Sequence, residues 1–310
     1  MKVYKSIDDY TNSKDAILTI GTFDGVHLGH QAIIKKLVDE SNSKNTDSVI
    51  LSFFPHPRSV IQGKKSLSLI DSIEEKESLL KKLGINILII HPFTIEFSNL
   101  SAKKFTRDIL VKKLHVSKLV IGYDHRFGKN RTASVSDLIS YGQTYGFEVE
   151  VIPAQDINAI TVSSTKIRKA LSTGEIDLVS KYLGRNYQLE GAVFHDQGLG
   201  SKIGFPTANL KVTNEFKALP MNGVYWVSMV WKNKKYYGML NFGNRPSISA
   251  SITRTIEVHF FNFNENLYNK TIKISFLSKI RDEKKFDSIE SLKAQLINDK
   301  EFCYRLEKTI

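Results

Sequence analysis

The sequence predicts an α/β fold in two parts: an N-terminal doubly wound parallel sheet, then a small antiparallel β-barrel carrying a terminal helix. Three observations predict it. Short apolar runs alternate with helical patterns through the first half, as strands joined by crossover helices do. From about Tyr187 strand-like runs follow one another directly, separated by Gly and Asn turns, as in small barrels. The 310 residues exceed the roughly 100–200 of one domain, so domains are expected at residues 1–184 and 185–310.

Ala16–Ile20 reads as a strand, and Gly29–Asp39 sets Ala32, Ile33, Ile34, Leu37 and Val38 on one helical face. Val49–Phe54 is the next strand, and Glu74–Leu83 a helix with its Glu and Lys charges outside. Ile85–Ile90 is a near-continuous apolar run, as a parallel strand buried on both faces requires. Ala102–Leu114 (helix), Leu119–Gly122 (strand), Val135–Tyr145 (helix) and Phe147–Ile152 (strand) complete the series. Ile176–Arg185 reads as a linking helix that turns at Gly184. The barrel strands are expected at Tyr187–Phe194, Gly223–Val230, Tyr236–Phe242, Thr255–Phe261 and Thr271–Ile280. A last helix has Phe286, Ile289, Leu292 and Leu296 on one face, with Asp287 or Ser288 as its cap.

Hydrophobic residues make up 41% of the chain, enough for packed cores, and charged residues 25%. The net charge of +12 favours polyanionic partners, nucleic acid or phosphorylated small molecules. The lysines are scattered or paired, as at Lys35-Lys36 and Lys112-Lys113, rather than gathered in a tail. Trp226, Trp231, Tyr236 and Tyr237 lie near Lys232, Lys234 and Lys235, a mixture compatible with single-stranded nucleic acid. The phosphate-binding patterns below outweigh it, and no nucleic-acid partner is expected. A single cysteine, Cys303, leaves no intrachain disulfide or Cys-based metal cluster and reads as structural. The N-terminus shows no signal-peptide pattern, and no stretch approaches the ~18 apolar residues of a membrane span. A cytoplasmic protein with no membrane partner is expected; the oligomeric state is left open.

Gly21-Thr22-Phe23-Asp24-Gly25-Val26-His27-Leu28-Gly29-His30 joins a strand to a helix. Glycines allow close approach of the backbone to a ligand, and a helix N-terminus suits phosphate. His27 and His30, three apart, share the first helical turn and can offset charge on a departing pyrophosphate. A metal reading of the pair lacks a third ligand at suitable spacing. Ser163-Ser164-Thr165-Lys166-Ile167-Arg168 starts a helix with hydroxyl donors, and Arg168 lies one turn along as a fork for phosphate oxygens. In the second half Gly198-Leu199-Gly200-Ser201-Lys202 can wrap phosphates, and Gly204 leads into Phe205-Pro206-Thr207-Ala208-Asn209. Two apart on an extended segment, Thr207 and Asn209 face one way and can hold Mg²⁺ through oxygen. An alternating strand also points Glu257 and His259 to one side.

These segments resemble a known family. The HxGH pattern resembles the nucleotidyltransferase superfamily, and GTFDGVHLGH looks like the version in bacterial FAD synthetases. Phe54-Pro55-His56-Pro57, the Phe-rich stretch Phe93–Phe105, Gly122-Tyr123-Asp124-His125-Arg126-Phe127-Gly128 and the Ser-Ser-Thr-x-Ile-Arg segment match its further motifs. Leu183–Leu210, Asn241-Phe242-Gly243-Asn244-Arg245-Pro246, Ile256–His259, Leu267-Tyr268 and Phe276–Phe286 resemble the riboflavin kinase domain. The resemblance implies a bifunctional riboflavin kinase/FAD synthetase (FMN adenylyltransferase) with a Rossmann-like first domain. Its partners would be ATP, riboflavin, FMN and FAD, with Mg²⁺. His27, His30 and Arg168 would serve the phosphates, and Glu257 would be the base for the riboflavin 5′-hydroxyl. Gly21, Phe23, Asp24, Gly25, Gly29, His56, Asp124, Ser164, Thr165, Gly198, Gly200, Lys202, Gly204 and Asn241 would bind nucleotide or flavin, and Thr207 and Asn209 the metal. The sequence departs from the family at Asp196, which follows His195 where glycine is usual, at Ser247 and at Phe54. The alternative is an FMN adenylyltransferase with an inactive, flavin-binding barrel.

Overall fold

The computed structural model describes residues 1–12, 14–63, 67–153, 162–195, 200, 203–246 and 252–308. It forms two compact units, Met1–Ser164 and Thr165–Ile310.

The first unit is built on six strands: β1 (Lys2–Tyr4), β2 (Ala16–Ile20), β3 (Asp47–Phe54), β4 (Ile87–Pro92), β5 (Val116–Gly122) and β6 (Glu148–Ile152). Their order is β1-β4-β3-β2-β5-β6, and all neighbours are parallel. Adjacent residues Ile17 and Leu18, Ile50 and Leu51, and Leu88 and Ile89 are all fully buried, so both sheet faces are covered, as the unbroken apolar runs require. β1 was not foreseen, being too short to show a periodicity. β3 and β4 lie on one side of β2, and β5 and β6 on the other. The chain thus changes direction at β2, and the crevice at its carboxyl end is where such sheets bind ligands.

Crossover helices follow α1 (Leu28–Lys44), α2 (Pro57–Gln62), α3 (Ile73–Lys82), α4 (Ile95–Ser98), α5 (Ala102–Lys104) and α6 (Val135–Tyr145). Two expectations need correcting. The helix expected over Ala102–Leu114 is α-helical only to Lys104 and winds as a π-helix over Phe105–Val111, which turns Phe105, Thr106 and Leu110 inward. On α3, capped by Ser72 and Glu75, the charges do not all face outward. Lys76 is buried and its Nζ donates to Thr22 O at 2.8 Å.

In the second unit α7 (Ser164–Thr173, which belongs to this unit from Thr165) and α8 (Ile176–Leu183) precede six strands. These are β7 (Gln188–Phe194), β8 (Ala208–Val212), β9 (Gly223–Trp231), β10 (Lys234–Pro246), β11 (Ile252–Phe260) and β12 (Thr271–Arg281), closed as a barrel in the order β10-β11-β8-β7-β12-β9. β8 was not among the expected strands; five residues beside a Pro turn give little pattern. Tyr225, Phe242 and Phe276 pack in the interior with ring centroids 5.5–6.0 Å apart. Met221 N–H donates to Leu171 O at 2.9 Å, and Ser278 Oγ to Asp177 at 3.4 Å. The helices α7 and α8 therefore pack with the barrel, and the compact units divide at Ser164/Thr165. The last helix, α9 (Ile289–Glu307), is capped by Ser288. Arg281 on β12 meets the buried Asp299 on α9 at 2.9 Å. Cys303 is fully buried, and burial pushes its thiol up to about 12, which leaves it inert. No described helix is long and apolar enough to cross a membrane.

Candidate active sites

The first candidate site lies at the carboxyl end of β2. Gly21 N–H still donates to Leu51 O, and the chain then turns through positive φ at Phe23 (46°), Gly25 (88°) and Val26 (35°). At Gly25 a side chain would also meet Ile70 at 3.0 Å, so glycine is required there twice over. His27 is the N-cap of α1: its Nδ1 accepts from His30 N–H at 3.3 Å. The two imidazoles stack with centroids 3.6 Å apart and 17° between planes, and Phe23 leans on His30 at 4.9 Å. Gly29 is buried in the first turn of α1. His30 Nδ1 is buried without a hydrogen-bond partner among the described residues. Burial, then His27, then Lys76 hold the His30 pKa well below the ordinary histidine value.

Other predicted residues shape this turn. Asp24 is buried, and its Oδ1 accepts from Ile70 N–H at 2.9 Å and Asp71 N–H at 3.4 Å. Its carboxylate therefore holds the segment entering α3. Ser164, the last residue of the first unit, donates from Oγ to Asp24 O at 2.9 Å. Thr165 and Arg168 follow on α7, in the second unit. Half-buried His56 caps α2, its Nδ1 accepting from Arg58 N–H at 3.1 Å. Asp124 is exposed beyond β5. The Phe-rich segment sets Phe93 and Phe97 against Phe53 at 5.5 and 5.6 Å, beyond the carboxyl ends of β3 and β4. Lys76 escaped the sequence reading. Burial lowers its pKa against the opposing pull of Asp24, Asp71 and Glu77. The one hint in the sequence is its spacing from Leu79 and Leu80 on the inner face of α3.

The second candidate site is in the barrel. Asn209 on β8 stands opposite Glu257 on β11, and Glu257 opposite Asn241 on β10. Residues directly opposite share a sheet face within side-chain reach, so three polar side chains from three strands form one row. They line a cavity of about 280 Å³ together with Gly200 and Thr207. Its other walls include Met239, Phe286, Leu292 and Leu296. A second cavity of about 240 Å³ takes Val193, Val258 and Phe263 as walls. Thr207 lines both, so the Pro206–Ala208 segment is the partition between them. Gly200 closes that segment: its carbonyl accepts from Phe205 N–H at 2.9 Å, and a Cβ there would fall 2.4 Å from Phe205 O. Gly204 takes a positive φ of 86°. Gly198 and Lys202 lie outside the described residues, as do Asp196 and Ser247. Glu283 also reaches this cavity and accepts from Asn222 at 3.2 Å. It was not singled out because it follows the end of β12, where strand alternation no longer indicates direction.

Among the described residues no group of three or more His, Cys, Asp or Glu could hold a metal. The Thr207 and Asn209 oxygens beside Glu257 are hard donors, which fit Mg²⁺ carried partly on substrate phosphates.

The FAD synthetase family matches residues 9–166, and the riboflavin kinase family residues 183–306. The chain is 39% identical to a bifunctional riboflavin kinase/FMN adenylyltransferase from Buchnera aphidicola, over 96% of each chain. It is 33% identical to the protein of the same name from Escherichia coli, again over 96% of each. This chain belongs to the bifunctional riboflavin kinase/FMN adenylyltransferase family. The enzyme from Haemophilus influenzae is 36% identical over 92% of each chain. A crystal structure described as a macrolide-efflux protein from Streptococcus pneumoniae superposes with a TM-score of 0.88, at 29% identity and over 98% of each chain. The family thus spans both units in the order that the motifs imply.

Proposed function

We propose that this chain makes both flavin cofactors: riboflavin and ATP give FMN and ADP in the barrel, and FMN and ATP give FAD and pyrophosphate in the parallel-sheet unit. The functional domains are residues 1–184 and 185–310. The observation that carries the reading is the row Asn209, Glu257 and Asn241 in one cavity with Thr207, in a chain that also holds the stacked His27 and His30 at its sheet switch point.

For the kinase step, riboflavin occupies the larger cavity, whose apolar walls suit a tricyclic ring, and the nucleotide occupies the other. Thr207, common to both, stands where the phosphate passes. Glu257 accepts the proton of the 5′-hydroxyl as its oxygen attacks the γ-phosphorus, and ADP leaves. Asn241 orients the flavin. Mg²⁺, held by Thr207 and Asn209, would neutralise phosphate charge. Gly200 and Gly204 cover the phosphates.

For the transferase step, an FMN phosphate oxygen attacks the α-phosphorus of ATP and pyrophosphate leaves; no enzyme-bound intermediate is needed. Gly21, Phe23, Gly25 and Gly29 let the nucleotide approach the N-terminus of α1, while Asp24 keeps the turn in shape. His27 and His30 donate to the phosphates as charge develops, and the unmet hydrogen-bonding capacity of His30 Nδ1 favours such a partner. Ser164, Thr165 and Arg168 serve phosphate from α7. His56 and Asp124 border the substrate, and the Phe93–Phe105 segment faces the flavin. Small phosphorylated molecules, not nucleic acid, account for the +12 charge, and the reactions belong to the cytoplasm.

The test is product analysis with ATP and Mg²⁺, from riboflavin in one tube and FMN in another. Riboflavin converted to FMN and then FAD is expected. FAD from FMN alone would remove the kinase, and no FAD in either tube would remove the whole reading.

A further inference from the structure

His259 is a buried histidine in the barrel that the proposed chemistry does not use. It lies two residues from Glu257 on β11, and both line the larger cavity. Its Nδ1 sits 2.8 Å from Pro206 O. A carbonyl only accepts hydrogen bonds, so the imidazole must carry its proton on Nδ1. Phe205 and Phe261 meet the ring edge-on at 5.2 and 5.8 Å, which fixes its plane.

The place of this bond in the sheet gives it meaning. β8 and β11 pair only at Asn209–Glu257 and Ala208–Val258, so the ladder stops just before Thr207. Beyond it the chain runs through Pro206, which has no N–H to pair. The side-chain bond from His259 thus secures the backbone where the main-chain ladder ends, one residue before Thr207. Burial lowers the His259 pKa, the bond to Pro206 O opposes this, and Lys300 adds to the lowering. A neutral ring suits a site that must gather a cation.

We propose that His259 is a positioning residue for phosphoryl transfer: through Pro206 it holds the segment that presents Thr207 and Asn209 to Glu257. The proposal rests on the kinase reading of the barrel. It needs no contact between His259 and substrate. A misplacement of about 1 Å in such a segment costs up to about 100-fold in rate.

The test uses the full chain with two readouts. In ¹⁵N-histidine-labelled protein, long-range ¹H–¹⁵N spectra should show His259 with a proton on Nδ1. A neutral ring with its proton on Nε2 overturns the proposal whatever the barrel catalyses. In kinetics, His259→Phe keeps an aromatic ring but no donor. Its kcat for riboflavin phosphorylation should fall roughly 10- to 100-fold, with FMN adenylylation by the same molecules unaffected. Wild-type kcat in this variant overturns the proposal. If His259→Phe loses both activities through misfolding, His259→Asn and His259→Gln decide. Asn places a donor near Nδ1 and should recover kinase activity, whereas Gln places one near Nε2 and should not; equal activities overturn the proposal. Failure of the wild-type chain to phosphorylate riboflavin would sink the kinase reading itself, and the spectra would still report on the bond.

Discussion

His27 accepts a hydrogen bond from the backbone of His30 and stacks on its ring 3.6 Å away, so one residue caps the helix that carries the other. Structure and chemistry are joined at this turn. The cap satisfies one of the free N–H groups of α1 and leaves the remaining ones, with two imidazoles, at the carboxyl end of β2. His30→Ala keeps the cap. It should lower FAD formation from FMN by 100-fold or more while FMN formation from riboflavin stays at the wild-type rate, measured by separating the flavins over time.

Glu257 stands between Asn209 and Asn241 across three strands. Glu257→Gln preserves shape and hydrogen bonding but removes the base. Riboflavin phosphorylation should fall by about 100-fold or more, and FAD formation from supplied FMN should be unaffected. An unchanged phosphorylation rate would show that another group takes the proton.

Arg281 is the ionic partner of Asp299, which is 2% exposed. Gln295 also donates to this carboxylate, at 2.8 Å. Arg281→Met strands a buried charge, and the expected loss of stability is about 3 kcal/mol, read from denaturant midpoints. Adding Asp299→Leu should recover most of it. Because α9 and Arg281 both wall the larger cavity, the single variant should also weaken riboflavin binding.

His125 follows β5 with Nε2 buried and unpartnered among the described residues. Burial, then Arg131, lower its pKa to about 4, against the pull of Asp124. In the unfolded chain the value is near 6.5. Between those values the unfolded state binds the proton more readily, so the fold loses stability as pH drops from about 6.5 towards about 4. His125→Phe should reduce this loss by about 1–3 kcal/mol, measured as the difference in unfolding free energy between pH 7.5 and pH 4.5. His30, His91 and His259 are shifted the same way, so the wild-type loss is the steeper one and the variant isolates the part due to His125.

The sequence by itself determined the two-part architecture, because periodicities of two and 3.6 residues are local consequences of burying one face of a strand or helix. It also marked the short segments to which chemistry is assigned in the proposed function: the glycines, His27 and His30 are neighbours along the chain, and their turn is set by local geometry. Tertiary structure decided whatever depends on residues far apart in sequence. Lys76 is buried because Thr22 O receives it from 54 positions away, and no pattern on α3 encodes that partner. Asn209, Glu257 and Asn241 become a row through strand register, which is a property of barrel closure. Asp24, in a segment that reads as ligand-facing, turns its carboxylate to the backbone at Ile70 and Asp71, because a buried charge goes where hydrogen bonds are offered. The helix α7 reads as the start of a phosphate-binding segment and α8 as a linker, yet both pack with the barrel. Their apolar faces specify burial, and the neighbour that buries them is specified only by the folded chain.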